Sequence, residues 1–389
     1  MKYAIAFCYF ATFCTLLRFF GRFENRSIFY GVAMLCALSM FAVLNDMTGL
    51  ILEKGASFIS YDMFKGDALL TTFYLQYLLA WIPFQLLDYE YTAHGMNIGL
   101  QAFTFLLAAQ YIFGMKTSWK LLAFSLVPSY FHYSIFGLRD PLINLIVTTI
   151  AIAAMRLDAK QFVYLCLVSA LMCMAVRPEL SLIILGFACL RVYFDATKWQ
   201  RVTLILLSGF VVYASLIVLP LAFGLSSTGS ALNNIDVMVQ FNEIRSERHV
   251  GTDGSGSHIL NGQLFTYPFL VRYPIQIFVS FVSPLPSEIR GMLGAIAFAE
   301  SILLCFVAYL AASAARTDST ARFLFFCGLI YIFLQALFAF NYGNLLRVRY
   351  PSFIFFFGAI ACSDLLLGQK GIRGVPIKLK ENRLKTYRG

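Results

Sequence analysis

Gly137-Leu138-Arg139-Asp140-Pro141 separates two apolar runs, residues 121–136 and 142–155. An ionisable pair beside runs of that length needs an explanation. Charged groups at a bilayer are costly, and they either pair, reach for the interface or do work. Two later stretches repeat the layout: Val176-Arg177-Pro178-Glu179, and Asn344 through Arg347-Val348-Arg349-Tyr350-Pro351. Each sets arginine and proline at the edge of an apolar run, which raises the question of whether the three places share a face.

Composition frames the answer. The 389 residues are 60% hydrophobic and 13% charged, well below the roughly 25% charged residues of soluble domains. Apolar stretches recur near 2–20, 28–45, 69–87, 95–114, 119–137, 141–157, 161–176, 180–195, 202–224, 291–312, 323–341 and 350–367. At the usual span length these predict an all-α, polytopic integral membrane protein of about 12 transmembrane helices. Residues 1–367 are expected to form one transmembrane domain, and 368–389 a basic cytoplasmic tail. The first run carries only Lys2 before it and no small-residue cleavage site after it, so it reads as a retained span.

Residues 226–290 form one long external loop. Its first part is polar and Gly/Ser-rich. From 264 to 286 it turns apolar but is punctuated by Pro268, Pro274, Pro284 and Pro286. That pattern predicts a re-entrant or interfacial segment against the bundle rather than a straight span.

The net charge of +10 is concentrated after the last span, where Lys370, Arg373, Lys378, Lys380, Arg383, Lys385 and Arg388 face only Glu381. Such a tail reads as a topology determinant at anionic lipid, and no nucleic-acid module accompanies it. Counting spans from the tail puts the turns with Lys116/Lys120, Arg156/Lys160, Arg191/Lys198/Arg201 and Arg316/Arg322 on the cytoplasmic side. Arg139, Arg177, the long loop and Arg347/Arg349 fall outside. The same count puts Arg18, Arg22 and Arg26 outside, against the positive-inside rule, and residues 46–67, with Asp46, Asp62 and Asp67, inside.

The nine cysteines lie in apolar runs without a C-x-x-C pair, and the four histidines are scattered, so neither disulfides nor a metal is expected. No phosphate-binding loop, dinucleotide fingerprint or serine elbow occurs. The chemistry-bearing set is Arg139, Arg177, Arg272, Arg347 and Arg349, with Asp140 and Glu179 beside them. Guanidinium forks suit a phosphate or diphosphate, although arginine at a span end also snorkels to the interface. The acids are candidate bases toward a hydroxyl, or first-turn helix acids favoured by the dipole. His249, near Glu243 and Asp253, is a candidate base or a solvated loop residue.

Pro128-Ser129 followed by Tyr133-Ser134-Ile135-Phe136-Gly137-Leu138-Arg139-Asp140 resembles a segment of bacterial membrane polysaccharide polymerases. Arg177-Pro178-Glu179 and Arg347-Val348-Arg349-Tyr350-Pro351 are similar to their later arginine boundaries. The tract from Tyr267 to Pro274, closing on Pro284-Leu285-Pro286, resembles the stretch after their large external loop. The chain thus looks like a Wzy-like O-antigen or exopolysaccharide repeat-unit polymerase. The resemblance implies a metal-free, cofactor-free glycosyltransferase of the bacterial inner membrane. It implies an undecaprenyl-diphosphate-linked oligosaccharide as substrate, and a flippase and chain-length regulator of the same pathway as partners. Arg139, Arg177, Arg272, Arg347 and Arg349 would be the diphosphate and sugar contacts, with Asp140, Glu179 or His249 as the base. A flippase for a lipid-linked oligosaccharide is the competing expectation, and a glycosyltransferase using a lipid-phosphate sugar is a further one. Against the flippase, no repeat and no paired broken helices are apparent, and the charges sit at span ends.

Overall fold

The computed structural model describes residues 2–20, 25–48, 89–114, 118–135, 140–174, 178–196, 269–286, 289, 291–336 and 349–363. Among the described residues every regular element is helical. They are α1 (Lys2–Phe20), α2 (Asn25–Thr48), α3 (Tyr89–Leu107, closing in a π-turn at Ala108–Ile112), α4 (Trp119–Ser125) and α5 (Pro128–Ile135). There follow α6 (Asp140–Arg156), α7 (Ala159–Met174), α8 (Pro178–Asp195), α9 (Phe269–Val282), α10 (Gly291–Thr317), α11 (Ser319–Ala336) and α12 (349–363).

Arg26–Leu44 and Gly294–Thr317 are long and apolar enough to cross a membrane. Ala159–Cys173, Tyr273–Val282 and Ser319–Leu334 are apolar but shorter. The expected spans at 69–87 and 202–224, most of the long loop and the basic tail lie outside the described residues. The core is aliphatic and aromatic. Phe124 sits at its centre, its ring centroid about 6 Å from those of Phe105, Phe113, Tyr350 and Phe357. Large apolar side chains also point outward: Phe29, Met40, Leu171, Phe278 and Tyr309 are all more than half exposed.

The first three helices depart from the expected count. Gly95 and Gly99, four apart on α3, let α1 approach backbone to backbone. A Cβ on Gly95 would lie 2.6 Å from the Lys2 carbonyl oxygen, and one on Gly99 2.7 Å from that of Ala6. Phe13 stacks on Phe103 at 5.3 Å further along, so α1 and α3 run parallel. Ser27 Oγ donates to Gln110 Oε1 at 2.7 Å, which sets the start of α2 beside the end of α3. Arg18 and Arg26 therefore stand at the same end as Tyr111. Arg156 reaches that end too, donating to the Tyr111 carbonyl at 3.3 Å.

The remaining turns gather there. Phe162 and Phe194 pack on Phe323, the Arg191 guanidinium lies over the same ring, and Cys362 is within electrostatic reach of Asp318. This basic end thus holds Arg18, Arg26, Lys120, Arg156, Lys160, Arg191, Arg316 and Arg322. The sequence count, which set the α1–α2 arginines on the other side, is corrected. Its fault lay in the parity assumed between α2 and α3, because Thr48 and Tyr89 both sit at the opposite end.

Two elements stop inside the bundle. The run read as one span at 119–137 is two helices, broken at Leu126–Val127. Proline lacks the N–H a continuing helix needs and disfavours helical geometry in the residue before it. Val127 N–H bonds back to the Phe124 carbonyl at 3.4 Å, and α5 starts afresh at Pro128. The other, α9, packs against α10 and α11, and near its start Tyr273 Oη donates to the Phe333 carbonyl at 2.7 Å. It ends partway along α10, with Ser283 beside Ser301 and Phe281 beside Cys305. Pro274 is tolerated within its first turns.

Candidate functional site at the inner ends of two helices

The site starts from the last four carbonyls of a helix, which have no partner within it. At the C-terminal end of α9 these face Arg349 of α12. Arg349 is 0% exposed there, and each nitrogen of its guanidinium finds a carbonyl. Nε donates to Ser280 O at 2.9 Å, Nη1 to Ala297 O of α10 at 3.0 Å, and Nη2 to Ser283 O. A cation at a helix C-terminus is favoured by the dipole, and the planar fork matches carbonyls on two elements at once. Ser301 reinforces the joint, its hydroxyl lying 2.9 Å from Ser283 O and 2.8 Å from Ala297 O.

The complementary event occurs at the inner end of α5. Its first-turn N–H groups are orphaned by the break at Pro128. Ser129 N–H donates to Glu300 Oε2 at 2.7 Å. Glu300 is 0% exposed, on the middle of α10, and within electrostatic reach of Arg349. An anion at a helix N-terminus and a cation at a helix C-terminus thus meet in the core, and each offsets the cost of burying the other. The Ser129 hydroxyl lies close enough to act on the carboxylate but not in hydrogen-bond geometry with it. Glu300 Oε1, Ser129 Oγ, Gln276 Oε1 and Tyr350 Oη make no hydrogen bond to the described residues.

A neutral network continues toward α3. Tyr130 Oη donates to the Gln101 carbonyl, Gln101 Nε2 to the Tyr130 carbonyl at 3.2 Å, and Asn144 Nδ2 to Gln101 Oε1 at 3.3 Å. The Tyr130 and Tyr350 rings pack at 5.1 Å, which connects this network to the residue after Arg349. Asp140, one turn before Asn144, is 5% exposed at the start of α6.

The expected site residues fall in three groups. Asp140 and Arg349 are both buried, Arg349 in the joint itself and Asp140 one turn outward. Glu179, in the first turn of α8, is placed by its backbone at the end opposite the basic turns, and Arg272 stands in the first turn of α9; the side chains of both lie outside the described residues. Arg139, Arg177, Arg347 and His249 lie outside the described residues altogether. The starts of α6 and α8, two of the three proline boundaries, stand at one end of the bundle. Glu300 and Ser129 were not among the expected residues. The available signal was an acid in the middle of an apolar run, which by default marks function.

All nine cysteines are free, and among the described residues no group of three or more His, Cys, Asp or Glu side chains is placed to hold a metal ion. The chain matches no protein-family model, no curated protein and no solved structure.

Proposed function

We propose that this chain is a membrane-embedded glycan polymerase. It moves a growing glycan from an undecaprenyl-diphosphate carrier onto a lipid-linked repeat unit. One observation carries the reading: the starts of α6 at Asp140 and of α8 at Pro178, each with an acid in its first turn, share the end opposite the basic turns. On this reading the chain crosses the membrane an odd number of times, from an external start of α1 to a cytoplasmic end of α12, the outward-facing Phe, Leu and Met side chains meet lipid, and the basic end is cytoplasmic. α9 is then a re-entrant helix entering from the external side.

The chemistry is a displacement at an anomeric carbon. The acceptor hydroxyl oxygen forms the new C–O bond and gives its proton to a carboxylate or imidazole, with Asp140, Glu179 and His249 as candidates. The bond to the diphosphate breaks, and its electron pair leaves on the phosphate oxygen. Arg139, Arg177, Arg272 and Arg347 stabilise that charge through paired hydrogen bonds. Complementation of a deletion strain with Arg139→Ala, Arg177→Ala and Arg347→Ala tests the assignment. Each should shorten the surface polymer, and unchanged length in all three refutes it.

A second reading, transport of a lipid-linked oligosaccharide, is favoured by the two helices that end inside the bundle around a charged pair, a feature of transporters. Translocated but unpolymerised repeat units in the deletion strain favour the polymerase over the flippase.

A further inference from the structure

We propose that Arg349 and Glu300 are positioning residues that clamp two half-helices to each other, rather than contacts to the substrate diphosphate. The inference rests on the polymerase reading and deepens it. The three carbonyls that Arg349 binds belong to the end of α9, the residue just beyond it, and α10. Glu300 meanwhile holds the first turn of α5 through Ser129. Both side chains are wholly buried, and the guanidinium nitrogens already face backbone oxygens. Such a group has little left with which to grip a ligand.

What it fixes is the spacing of the elements around it. α9 is pinned near its start by Tyr273 on α11 and at its end by Arg349. Arg272 stands in the first turn of that helix, and Arg347 is two residues before the clamp. The clamp therefore fixes the ends of α5, α9 and α12 against α10, and with them the placement of the elements that carry or adjoin the proposed substrate contacts. Positioning of this kind acts on turnover, because small displacements of reacting groups are costly.

The test uses full-length protein in lipid vesicles and, as substrate, the lipid-linked repeat units extracted from the deletion strain. Wild-type protein that fails to elongate them defeats the polymerase reading itself. Given wild-type elongation, Arg349→Lys, which keeps the charge and loses the fork, should lower kcat roughly tenfold or more with KM within about threefold. Arg349→Met should be worse, and Arg349→Met with Glu300→Gln, which removes both charges, should recover activity relative to Arg349→Met alone. If Arg349→Met does not fold and the double variant does, the clamp is equally supported. A raised KM at unchanged kcat in Arg349→Lys, or strictly multiplicative losses in the double variant, overturns the proposal.

Discussion

Glu300 and Arg349 stand where the N-terminus of α5 and the C-terminus of α9 meet in the core. The carboxylate accepts from Ser129 N–H at 2.7 Å, and the guanidinium donates to Ser280 O at 2.9 Å. Each charge faces the helix end whose dipole it complements. Broken helices in an apolar bundle leave backbone groups that must be met by something, and here the chain meets them with two buried side chains of opposite charge.

Removing one partner strands the other. Glu300→Ala removes the carboxylate within electrostatic reach of Arg349 and leaves Ser129 N–H without its acceptor, and it should cost about 3–5 kcal/mol of stability. Glu300→Gln keeps an acceptor for Ser129 and should cost less. Thermal unfolding of the detergent-solubilised protein measures both, and equal losses would show that the charge contributes nothing.

The parallel packing of α1 on α3 depends on Gly95 and Gly99. Gly99→Leu drives a side chain into the Ala6 carbonyl and Tyr9, and should cost about 1–3 kcal/mol through displacement of α1. Gly186→Leu on α8, where nothing lies within 4 Å, serves as the control and should leave the melting temperature close to wild type.

Reporter fusions check the corrected order of the first helices. Fusions after Arg22 and after Asp318 should report the same side of the membrane, and fusions after Thr48 and after Gly254 the other. A fusion after Thr48 that reports the side of Asp318 would contradict the parallel pairing of α1 and α3.

Much of this was legible in the sequence, for identifiable reasons. Pro141 and Pro178 mark helix starts because proline fits the first turn, and α6 and α8 begin within a residue of them. The prolines from 268 to 286 announce an element that does not run straight through, and α9 ends inside the bundle. Arg349 was visible as a charge at a boundary, but its depth was not. Burial depends on which carbonyls the fold brings near, and Ser280, Ser283 and Ala297 are remote from it in sequence. Glu300 and Pro128 were hidden by their surroundings: each interrupts an apolar run too briefly to change its average. The Gly95/Gly99 pair was available as a close-packing motif. It would have tied α1 to α3 and exposed the parity error that put Arg18 and Arg26 at the wrong end.

The most direct measurement of the central claim is the surface glycan profile of a strain lacking this chain, resolved by length. The account predicts loss of long chains, with single repeat units remaining on the external side. Long chains of normal distribution would contradict it.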